Sequence, residues 1–189
     1  SLLLLIDATV LGGTLTHAVG RVGCLTFGCC FGRPSNSPLA IRYDNPLAKA
    51  ARVAGLRGIP IHPVPLYEAV PNLGLFILLN AVALAGSREG VPAALYLVIY
   101  GSGRFLLEFL RYELSDDRIG PLARSQWLSL VQAGAGAALL VALWSASGPA
   151  SPSIGETDAQ ALLLLPLLTV CAALVFLAYS LHRGSIGRW

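Results

Sequence analysis

Five apolar stretches divide the chain, and polar segments of very unequal length separate them. A helix that crosses a bilayer needs about 20 mostly apolar residues. Segment one runs from Ser1 to about Gly20, segment two from about Tyr67 to Gly86, and segment three from Val91 to Leu110. Segment four runs from about Ser125 to Ser147, and segment five from Ala161 to Leu181. Segment one is the weakest span, because it carries Asp7 and the Gly12-Gly13 pair; segment five carries no charge and is the cleanest. The pattern predicts an all-α, polytopic membrane helix bundle of about five spans. A long Gly-, Pro- and Arg-rich loop, residues 21 to 65, lies between the first two. Residues 1–147 read as a membrane domain, 148–160 (GPASPSIGETDAQ) as a flexible loop, and 161–189 as an extra transmembrane helix with a basic tail. Segment four is rich in small residues from Ala133 to Ala138, which suits close helix packing in lipid.

Composition supports this. Of 189 residues, 55% are hydrophobic and 12% charged, where a soluble domain carries about 25% charged residues. Disordered chains, fibrous repeats and most soluble enzymes are thereby excluded. The chain has no Met and no basic region ahead of its opening Leu run, so that run does not read as a secretory signal peptide. It is expected to begin inside a hydrophobic segment of a longer protein. Twelve arginines accompany one lysine, Lys49, which fits a GC-rich coding bias and equally a need for planar phosphate-gripping forks. They form no basic run, so a nucleic-acid partner is not expected. If the spans alternate, one face receives Arg21, Arg33, Arg42, Lys49, Arg52, Arg57, Arg111, Arg118, Arg124, Arg183 and Arg188, and the other only Arg88. The positive-inside rule would put the first face in the cytoplasm.

Three groups of residues could carry chemistry. On segment three, Tyr100, Arg104, Glu108 and Arg111 fall at about 0°, 40°, 80° and 20° around a helix, within one stripe. A charge in the hydrocarbon region must face a partner or a wet cavity; the plain alternative is an i,i+4 ion pair that holds the helix. The second group is GRVGCLTFGCCFGRP, residues 20 to 34. Its glycines allow a backbone that doubles back and exposes N–H groups, and Arg21 and Arg33 could then bind an anion. Cys24, Cys29 and Cys30 there do not have a standard zinc spacing, so no metal is expected. Cys171 reads as packing. The third group is HPVPLYE, residues 62 to 68, where His62 can exchange protons near neutral pH and two prolines fix the entry into segment two.

Together these motifs resemble the prolipoprotein diacylglyceryl transferase family. The matching stretches are GRVGCLTFGCCFG, HPVPLYE, YGSGRFLLEFLR and SQWLSL, in that order, between about Asp7 and Leu143. The family's H-G-G motif has no match in the chain, and His17, in THAVGR, receives no role from the comparison. The resemblance implies transfer of a diacylglyceryl group from phosphatidylglycerol to the lipobox cysteine thiol of a prolipoprotein signal peptide, without cofactor or metal. It implies that Arg21 and Arg104 bind the phosphate and that Glu108 orients Arg104 or the substrate. Tyr100 would line the same stripe, His62 would be a polar site residue, Gly32 would permit close backbone approach, and Cys24 would lie beside the lipid. It implies a bacterial cytoplasmic membrane location with the active site toward the outer face. This opposes the charge count; the family's placement is adopted, since several arginines would serve phosphate rather than topology. Two other readings stand beside it. One is an inactive truncated relative that binds phospholipid or packs in the membrane. The other is a small transporter, which explains the intramembrane charges but not GRVGC and HPVPLYE together.

Overall fold

The computed structural model describes residues 1–112 and 118–146. Segment five, the 148–160 loop and the basic tail lie outside the described residues. Among the described residues, four helices are long and apolar enough to cross a membrane: α1 (Leu2–Phe27), α3 (Val64–Leu84), α4 (Val91–Leu107, prolonged by a 3-10 turn at Glu108–Leu110) and α5 (Arg124–Ser145). A short α2 (Lys49–Ala54) sits in the long loop, and β1 (Arg118–Ile119) pairs antiparallel with β2 (Leu122–Ala123) ahead of α5.

The burial pattern is that of a membrane protein. Leu2, Leu5, Val70, Ile77, Leu128, Val131 and Val141 are exposed, while Asp7, Thr14, Glu68, Asn72, Glu108, Gln126 and Ser129 are buried. Lipid accepts apolar side chains freely but offers no hydrogen bonds, so polar groups must turn inward and find partners. α4 is the hub, packed on α5, α3 and α1, and α1 also packs along α3. A Cβ on Gly136 would lie 2.7 Å from Leu97 Cβ and 2.8 Å from the Ala94 carbonyl, so only glycine lets α5 approach α4 this closely.

Asp7 weakens segment one in the sequence but has a structural purpose. Its carboxylate accepts the Gly90 and Ala93 N–H groups at 2.6 and 2.9 Å, capping α4 from a neighbouring helix. At the same end of the bundle, Arg88 donates to the carbonyls of Leu143 and Ala146 and closes the C-terminus of α5. Asp7→Ala is expected to cost about 1–2 kcal/mol, read as a lower Tm in detergent, with Asp7→Asn less affected.

Two sequence expectations are corrected. α1 runs on past Gly20 to Phe27, so GRVGC is helical and does not double back. A backbone at this depth must satisfy its own hydrogen bonds, and that requirement outweighs the glycines' freedom. The reversal comes at Gly28, whose φ of 64° closes the helix with its N–H on the Cys24 and Leu25 carbonyls. The long polar stretch is also more than a connection. Phe31, Ala50, Leu56 and Ile61 form a small core, flanked by Ile41, Tyr43 and Tyr112, that covers one end of the bundle. α3 starts at Val64, three residues ahead of Tyr67, because Pro63 and Pro65 stand where a helix needs no N–H donor.

Candidate functional site

The end of the bundle under that cap holds a network of buried charges. Arg21 lies near the end of α1, Glu68 in the first turns of α3, and Arg104 near the end of α4. Glu68 is 3% exposed and is the centre. Its Oε2 pairs with Arg21 Nε, and its Oε1 lies 3.7 Å from Arg104 Nε. Arg104 Nη1 reaches Glu108 Oε2 at 2.5 Å, and Arg111 Nη1 stands 3.7 Å from the same oxygen. Arg21 Nε also donates to His17 Nε2 at 3.0 Å, and the His17 ring meets Tyr100 edge-on with centroids 5.2 Å apart. Tyr100 in turn stacks on Tyr96.

Three guanidinium groups thus face two carboxylates, and Arg111 also reaches the Cys30 sulfur at 3.9 Å. Burying ions is expensive, and removing one partner from such a group strands the others. Arg104 turns Nε toward Glu68 and Nη1 toward Glu108.

A cavity of about 250 Å³ opens beside this network between α3 and α4. Tyr67, Glu68, Tyr100 and Arg104 form its polar end, and Pro71, Leu75, Ile99 and Leu106 its apolar walls. Leu106 and Ile99 are exposed on the outside of the bundle, so the cavity communicates with the lipid-facing surface. Asn72 also lines it; its Nδ2 donates to the Glu68 carbonyl, and its buried Oδ1 has no partner.

The structure therefore brings together Arg21, Arg104, Glu108 and Tyr100 of the residues marked in the sequence. His62 stands one step away, its Nδ1 3.3 Å from the hydroxyl of Tyr67, which lines the cavity. Cys24 lies with Cys29 and Cys30. In that trio the Cys30 thiol is held down at about 5, by a hydrogen bond from Cys29 and by Arg111 and Arg21, against the effect of burial. Cys29 is pushed up by the same hydrogen bond and by burial.

Gly32 permits a close backbone approach, but to the protein's own chain. Its N–H donates to the His62 carbonyl, Arg33 N–H to the Leu110 carbonyl, and Tyr112 N–H to the Phe31 carbonyl. A Cβ at Gly32 would sit 2.6 Å from His62 Cβ and 2.7 Å from its oxygen. This knot ties together the chain after α1, before α3 and after α4. Gly32→Ala is expected to separate the three strands, costing about 1–3 kcal/mol from overpacking, with lower Tm and lower activity together.

His17 receives no role from the sequence, and Arg111 on the segment-three stripe and Glu68 in HPVPLYE are placed there without a site role. His17 and Arg21 are spaced i,i+4 on one helix, a signal present in the sequence. That Glu68 would be the shared partner of two arginines from other helices is visible only in three dimensions.

The family model for prolipoprotein diacylglyceryl transferase matches residues 1–142. A phosphatidylglycerol–prolipoprotein diacylglyceryl transferase of Clostridium tetani is 31% identical over 127 residues, 67% of this chain and 48% of that protein. The Clostridium perfringens transferase numbered 2 is 33% identical over 129 residues, 67% of this chain and 46% of that protein. The Gloeobacter violaceus transferase is 36% identical over 147 residues, 76% of this chain and 51% of that protein. The chain thus spans about half the length of these relatives.

Proposed function

Since the chain belongs to the prolipoprotein diacylglyceryl transferase family, we propose that it moves the diacylglyceryl group of phosphatidylglycerol to the lipobox cysteine thiol of a prolipoprotein. The observation that carries this reading is the convergence of Arg21 and Arg104 on buried Glu68, from two other helices, beside a cavity between α3 and α4 with apolar walls. A phosphodiester is an anion with an apolar tail, and planar guanidinium forks beside an apolar cavity suit both parts.

In this reading the phosphate lies against Arg104 and Arg21, and the acyl chains leave toward lipid past Ile99 and Leu106. The substrate's thiolate attacks the glyceryl carbon that bears the phosphate ester. A carbon–sulfur bond forms, the carbon–oxygen bond breaks, and its electron pair departs with glycerol phosphate. The phosphate then goes from one negative charge toward two. Guanidinium groups already held in place by Glu68 and Glu108 meet that growing charge without reorganising, so they stabilise the transition state more than the bound lipid. His17 and Tyr100 brace Arg21 and the wall beside it. The nucleophile belongs to the peptide, so this chain's own thiols take no part. The setting is the bacterial cytoplasmic membrane, with the arginine-rich end facing outward.

The test is a transfer assay. Membranes that hold the chain receive phosphatidylglycerol labelled in its glyceride moiety and a lipobox peptide. Label on the peptide cysteine, stable to thioester cleavage, is the expected result. No label from well-inserted protein would overturn the proposal for this chain.

A further inference from the structure

We propose that Cys24, Cys29 and Cys30 form a binding site for one thiophilic d10 cation, Cu+ or Zn2+, that staples the end of α1 to the segment leading into the Gly32 knot. The three Sγ atoms lie within 4.8 Å of one another, although Cys24 belongs to α1 and the other two follow its reversal. In a three-coordinate complex with metal–sulfur bonds of about 2.3 Å, the sulfurs stand about 4.0 Å apart. Less than an ångström of movement closes the gap.

The backbone is built for this convergence. Gly28 turns the chain at φ 64°, and Cys30 follows at φ 55°, the one non-glycine residue with positive φ among the described residues. Such a conformation is sparsely populated and persists where the surroundings hold it. Cys29 N–H meanwhile donates to the Cys24 carbonyl at 3.1 Å, which fixes the two cysteines against each other. All three cysteines are free and partly accessible, so a cation can reach them.

The donor set and the charge agree on the class of ligand. Thiolates select Cu+ and Zn2+ over harder cations. No carboxylate or imidazole joins the cluster among the described residues. That favours a cation content with three sulfurs, or with three sulfurs and a water. A metal held by three thiolates carries net negative charge, and Arg111 Nη2, 3.9 Å from Cys30 Sγ, lies where it offsets that charge. The C-x4-C-C spacing gave no reason to expect this site, because helix and reversal together, rather than a short loop, bring the thiols into one place.

The experiment needs no transfer activity, so its result is separate from that of the transfer assay. The full chain is purified in detergent, reduced, freed of reductant without air, and titrated with Cu+ against bicinchoninate and with Zn2+ against a chromophoric chelator. One equivalent of at least one cation is expected to bind, with a rise in Tm. Each of Cys24→Ser, Cys29→Ser and Cys30→Ser should weaken binding at least about tenfold, since each removes one of three bonds. X-ray absorption at the metal edge of the unsubstituted chain should show three sulfur neighbours; this reading stands even where a variant fails to fold. Uptake of neither cation, equal uptake by a folded triple-serine variant, or a metal edge dominated by nitrogen and oxygen would overturn the proposal.

Discussion

Arg104→Ala is expected to lower the proposed diacylglyceryl transfer by about a hundredfold or more, the loss typical of removing one preorganised donor from a site of developing charge. The chain still inserts, because α4 keeps its apolar length and its packing on α5. Arg104 bridges Glu68 on α3 and Glu108 at its own helix end, and in the proposed reaction it also faces the phosphate. Lysine carries the charge but not the planar fork, so Arg104→Lys should recover little. A loss confined to turnover, with lipid binding kept, identifies transition-state stabilisation; a loss in both identifies a phosphate clamp. Unchanged transfer by the alanine variant would remove Arg104 from the mechanism.

Glu68→Gln should be as damaging by another route. Glutamine fills the same space but leaves Arg21 and Arg104 facing each other without the carboxylate between them. Breaking a buried ion pair costs about 3–5 kcal/mol, so Tm and transfer should fall together. The same change at Glu108 should do less, because Glu108 pairs with Arg104 and Arg111 at a wetter edge, where Arg111 is 30% exposed. If Glu68→Gln is as stable as the parent, the carboxylate is not the organising group of the cluster.

Much of the bundle was legible because lipid imposes a simple rule on length and polarity. The stripe of Tyr100, Arg104, Glu108 and Arg111 was legible because one helix sets those positions. Glu68 escaped notice because its partners arrive from α1 and α4, and no local spacing encodes that meeting. Asp7 misled for a related reason: the N–H groups it caps lie at Gly90 and Ala93. The helical state of GRVGC was obscured by its glycines, whose preferences are those of a chain in water.

The knot at Gly32 has a bearing on how the protein is made. Arg33 Nε reaches the carbonyl of Arg111, 78 residues further along. α1 and α3 can insert and meet while that partner is still unsynthesised. The last strand of the knot and the last arginines of the network arrive together, at the end of α4. A nascent chain halted before that point holds Glu68 and Arg21 but neither Arg104 nor Arg111, so the charge network and the knot are completed in the same late step of synthesis.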